Sequence, residues 1–158
     1  MYKPIIIIVI LATILFAGCA EAQMTISATG NWSPSIGEAD LQSGAGSDLI
    51  STYESNSDQV SITIGGASGK SWRVDVKRTN VVWNDDLTLS IQRTGAGSGS
   101  GSILGGTTYQ LIETSDSEFF SGTEDRSGIP AQLKLGGVSL QVPPNTYSTT
   151  VTYTLVEI

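Results

Sequence analysis

An all-β fold, an antiparallel sandwich of about nine short strands, is predicted by three observations. Two-residue alternation of apolar and polar side chains recurs from Met24 to the C-terminus, no helical period is sustained after the first twenty-two residues, and turn residues separate nearly every alternating run. Side chains that alternate in this way lie on opposite faces of a strand, so each run has one face to bury.

The chain has 158 residues and opens with a segment of different character. Lys3 precedes an apolar run over residues 5–16, and a small, weakly polar stretch (AGCAEA) follows over residues 17–22. This is the layout of a secretory signal peptide. Twelve residues are too few for a bilayer span, which needs roughly 20. Ala20-Glu21-Ala22 fits the small-x-small rule for cleavage, which leaves Gln23 as the new N-terminus and residues 23–158 as one domain. A second chemistry overlaps it: Ala17-Gly18-Cys19 resembles the end of a lipoprotein box, in which Cys19 would carry lipid and tether the domain to a membrane. Either way the destination is outside the cytoplasm, secreted or at the cell surface.

Along the domain, Met24, Ile26 and Ala28 form the first alternating set, followed by Val60, Ile62 and Ile64, then Trp72, Val74 and Val76, then Leu87, Leu89 and Ile91. Tyr109 and Leu111, the Phe119-Phe120 pair, and Leu133 with Leu135 come next. Val138, Leu140 and Val142 precede a final set of Val151, Tyr153 and Leu155, whose interleaved threonines face outward. Gly136-Gly137 predicts a tight hairpin joining residues 132–135 to 138–142. Residues 30–58 are too long for a structureless loop, so short strands are expected near 40–42 and 50–54. Residues 95–106 (GAGSGSGSILGG) read as a long, flexible hairpin loop.

Composition removes several function classes. Fifteen acidic against eight basic residues give a net charge of −7, and loss of Lys3 and Glu21 with the leader leaves that balance unchanged. A nucleic-acid or anionic-lipid binder would carry the opposite sign. Histidine is absent, so no histidine-based triad can form and the commonest general base and metal ligand is missing. Cys19 is the single cysteine, so the domain holds no disulfide.

Three features invite a chemical reading. Residues 64–71 (IGGASGKS) end like a phosphate-binding loop, but Ile64 stands where the pattern needs glycine, and a strand (SWRVDV) follows where a helix should open. A glycine-rich hairpin turn is expected instead. Carboxylates at Asp85-Asp86, Asp116 with Glu118, and Glu124-Asp125 could hold calcium or serve glycoside hydrolysis, yet each group sits at a turn where acids are simply solvated. Catalytic residues, metals and cofactors are therefore assigned nowhere. Trp72 shares a face with Val74 and Val76 and belongs to the core, whereas Trp32 and Trp83 fall in connecting segments and are the candidate platform for a sugar ring.

Residues 137–147 (GVSLQVPPNTY) followed by 148–156 (STTVTYTLV) resemble the ending of spore-coat-U-like and other fimbrial-type bacterial surface subunits, where a proline turn leads into a long last strand. This resemblance implies a secreted, immunoglobulin-like, structural or adhesive subunit, with itself or other surface proteins as partners. A non-enzymatic surface subunit is thus the first reading, and a small carbohydrate-binding module is the alternative. Met24, Ile26 and Ala28 offer the alternate apolar side chains that strand addition to a neighbouring subunit would use; pairing within their own sandwich is the competing arrangement.

Overall fold

The structure is a computed structural model and describes residues 23–158, so the expected leader and Cys19 lie outside the described residues. Ten strands form two antiparallel sheets: β1 (Thr25–Thr29), β2 (Tyr53–Glu54), β3 (Val60–Gly65), β4 (Ser71–Val82), β5 (Thr88–Arg93), β6 (Ile103–Leu104), β7 (Gln110–Leu111), β8 (Ser117–Thr123), β9 (Arg126–Gly136) and β10 (Ser148–Glu157). One sheet runs β1-β3-β9-β5-β7, with β2 also on β9, and the other runs β10-β4-β8-β6. The architecture is the expected all-β sandwich.

The two sheets meet over the residues whose alternation marked them in the sequence. Ile62, Ile64, Trp72, Val74, Val76 and Ile91 are fully enclosed, with Ile129 and Ala131 of β9 beside them. Phe119 and Phe120 are adjacent yet both buried, which regular alternation forbids. A bulge resolves this: Val74 pairs Phe120 and Asp75 pairs Glu118, so Phe119 has no partner and turns inward. Trp72 then meets Phe120 edge-on at 6.0 Å, and the two phenylalanines meet at 4.9 Å.

No two strands that follow one another in the chain are paired. This corrects three expectations, each for the same reason. The turn after β3 is an arch between sheets and not a hairpin turn, because β1 and β9 already occupy both edges of β3. Likewise β9 is flanked by β5 on one side and by β2 and β3 on the other, so no returning strand can form after Gly136-Gly137. Gly137 (φ 77°) instead turns the chain away so close to Asp86 that a Cβ would stand 1.8 Å from its carbonyl oxygen. Residues 138–142 form no strand, and Val138 N–H donates to Ser51 O at 3.2 Å.

The glycine-rich segment 95–106 is the third correction. It crosses from β5 in one sheet to β6 in the other, and two buried arginines hold it. Arg93 donates to Gly105 O at 2.9 Å and Gly95 O at 2.8 Å, while Arg126 donates to Ala96 O at 3.4 Å and to Gly101 O. A guanidinium fork suits such a task because it presents several donors in one plane. Within residues 30–58, β2 appears where a strand was expected near residue 53, but residues 38–40 form a 3-10 turn and Leu41 makes only a single bridge to Leu49.

β10 settles as an edge strand, paired with β4 alone, and β1 is likewise paired with β3 alone. These two edges lie on the same flank of the sandwich and pack across from each other. Val151, Tyr153 and Leu155 face inward onto the core while the threonines between them are exposed, as their spacing predicts.

Candidate functional site

On that flank the sheets part around a cleft of about 1020 Å³. Its floor is made of core side chains, Val60 of β3, Leu89 of β5 and Leu133 of β9, each slightly exposed where neighbours such as Ile62 are not. Ala28 of β1 forms one rim and Val151 and Tyr153 of β10 the other. Two proline-bearing connections, one following β1 and one preceding β10, complete the lining.

Trp32 and Trp83, remote in sequence, both line this cleft and both pack half-buried against the core. Trp32 is placed by the turn after β1. Gly30 (φ 127°) brings the backbone so near β3 that a Cβ would lie 2.1 Å from Gln59 O, and the Gln59 side-chain amide donates to Asn31 O. Trp83 follows the end of β4. Its indole N–H donates to Leu87 O at 3.1 Å, and the Arg78 guanidinium stands 5.0 Å from the ring centroid. Arg78 is fixed in turn by donating to Ile112 O at 2.8 Å.

Charge is absent from the lining, which contains no Asp, Glu, Lys or Arg. Its titratable groups are Tyr147 and Tyr153, and burial pushes the Tyr153 phenol well above its ordinary value, so it stays neutral and protonated. Hydroxyl and amide side chains such as Asn31, Ser33, Asn145 and Thr149 are exposed or half-buried at the mouth. An uncharged wall of this kind can enclose a neutral ligand but offers no proton donor or acceptor tuned near neutral pH.

The assembly candidates divide. Met24 and Ile26 pack against the core, Ala28 is exposed at the cleft rim, and the whole of β1 is paired with its own β3, from Thr25 opposite Gly65 to Thr29 opposite Ser61. Alternation singled out Ala28, and position in connecting segments singled out Trp32 and Trp83; Leu140 and Tyr147, which complete the cleft, were given no site role. Leu140 was read as a strand residue; the Pro143-Pro144 pair three residues on marks a stretch leaving the sheet, and is the signal that could have identified it.

The phosphate-loop lookalike has its amides already engaged. Ala67 N–H donates to the Asp125 carboxylate at 2.6 Å and Gly69 N–H to Glu124 at 2.9 Å, so the loop's anions are the chain's own side chains. The remaining acids are scattered: Asp116 pairs Lys77 at 2.8 Å, and Asp85 and Asp86 are exposed in a turn. Among the described residues no three His, Cys, Asp or Glu side chains group closely enough to hold a metal ion. No protein-family model, curated protein or solved structure matches the chain.

Proposed function

We propose that this chain is a non-enzymatic, extracytoplasmic surface subunit of adhesive type, which recognises a neutral ligand in the cleft between its sheets. One observation carries the reading: Trp32, Trp83 and the rim of β1 converge on a single cavity whose walls hold no charged side chain. Aromatic walls with an uncharged polar mouth suit binding, whereas acid–base chemistry needs ionisable groups placed within reach of substrate. The expected export leader and the C-terminal likeness to fimbrial-type subunits support the location. Adhesion of the full chain to a panel of immobilised neutral glycans and lipids, with Trp32→Ala as the comparison, tests this. Retained adhesion by a folded Trp32→Ala protein would count against the cleft as the site.

A second reading, assembly by strand addition, is favoured by a different observation. Among the described residues no strand pairs the outer edges of β1 and β10, and β10 carries no lysine, arginine or proline along its ten residues to guard that edge. Electron microscopy of the purified protein tests it, since filaments support assembly and dispersed monomers oppose it.

A further inference from the structure

We propose that the ligand of the cleft is an uncharged alkyl or acyl chain, taken lengthwise between the sheets, and not a stacked sugar ring. This rests on the reading of the cleft as the adhesive site and names what it accepts.

The argument begins with Trp83. A sugar platform needs an open indole face and benefits from a free N–H, but here the N–H is spent on Leu87 O and the Arg78 guanidinium covers the ring at 5.0 Å. Trp83 therefore acts as a wall. Depth points the same way, because the floor is Val60, Leu89 and Leu133, which offer hydroxyl groups nothing to bond. A sugar that reached the floor would bury hydroxyls without partners, at a cost in free energy, whereas methylene groups gain by leaving water there.

Shape and charge select further. The lining runs along β10 from Ser148 to Tyr153, which spans about 17 Å at the usual rise per strand residue, a length along which an extended chain can lie. Its volume lies just above the roughly 300–1,000 Å³ range of small-molecule sites. The lining holds no lysine or arginine, Arg78 behind Trp83 is already engaged with the ring, Ile112 O and Asn80, and the chain's net charge is −7, so an anionic head group finds no free counter-charge. The hydroxyl and amide side chains at the mouth suit an uncharged polar end instead.

Isothermal titration of the full chain with dodecan-1-ol, held below its solubility limit, tests the proposal. Sodium dodecanoate and a neutral gluco-oligosaccharide are titrated in parallel. Saturable one-to-one binding of the alcohol is expected, at least five-fold tighter than the carboxylate at neutral pH. Ala28→Phe, which fills the rim, should weaken it at least ten-fold, and Leu140→Asp, an exposed change at the mouth, at least three-fold; circular dichroism identifies any variant that fails to fold. Absence of alcohol binding, tighter binding of the carboxylate, or affinity unchanged in both folded variants would overturn the proposal. Oligosaccharide binding without alcohol binding would overturn it too while leaving the adhesive reading intact, and binding of none of the three would remove both.

Discussion

Trp72 and Gly122 face each other across the β4–β8 pair so closely that a Cβ on Gly122 would lie 2.6 Å from the indole ring. The same Cβ would also meet Ser102 O at 2.6 Å, so neither side has room to yield. Overpacking of this kind costs about 1–3 kcal/mol or more. Gly122→Ala should lower stability by at least that amount in urea unfolding, with the cleft beside β1 and β10 unaffected in any protein that remains folded.

Asp125 supports the arch between the sheets through the Ala67 amide. Ala67 is fully buried, and without the carboxylate its N–H would have no partner. Leaving a buried donor unpaired costs about 1–3 kcal/mol. Asp125→Ala should therefore destabilise the fold by this amount and speed hydrogen exchange at Ala67, measured by NMR, more than at Ile62.

Arg93 and Arg126 are both buried, and neither forms an ion pair among the described residues. Burial and, second, the neighbouring Arg126 charge lower the pKa of Arg93, yet carbonyl oxygens of the glycine-rich segment satisfy its donors. Arg93→Met should release that segment: limited proteolysis within residues 95–106 should accelerate, and stability should fall by about 1–3 kcal/mol from the lost buried hydrogen bonds.

The phenol of Tyr153 gives the fold an alkaline limit. Burial raises its pKa above the ordinary 10.0, so the folded state holds the proton more tightly than the unfolded chain does. Its contribution to stability is complete below pH 10 and is lost as pH rises through the folded value. Burial also raises the phenols of Tyr53 and Tyr109, so spectrophotometric titration should show several tyrosines ionising late, and Tyr153→Phe should remove the last of these steps and flatten the alkaline decline in stability.

Strand faces were legible in the sequence because period-two alternation reports which side chains share a face: Ile62, Trp72, Ile91 and Tyr153 all lie where their spacing places them. Strand partners were not, because alternation says nothing about which edges remain free. Gly136-Gly137 and residues 65–71 carry good hairpin chemistry, yet the edges of β9 and β3 are taken by strands remote in sequence. The site was half legible for the same reason. Trp32 and Trp83 stand out as aromatics in connecting segments, but their convergence with Ala28, Leu140 and Tyr153 follows from the placing of β1 and β10 on one flank, which only the assembled sheets define.

The three indole N–H signals in a two-dimensional NMR spectrum of the full chain test the central claim most directly, since Trp32 and Trp83 line the cleft while Trp72 is sealed in the core with its N–H on Glu124 O at 2.8 Å. Titration with dodecan-1-ol should move the Trp32 and Trp83 signals together along one saturable curve and leave Trp72 in place. Binding that moves neither cleft signal, or that moves Trp72 as much as the other two, would contradict the account.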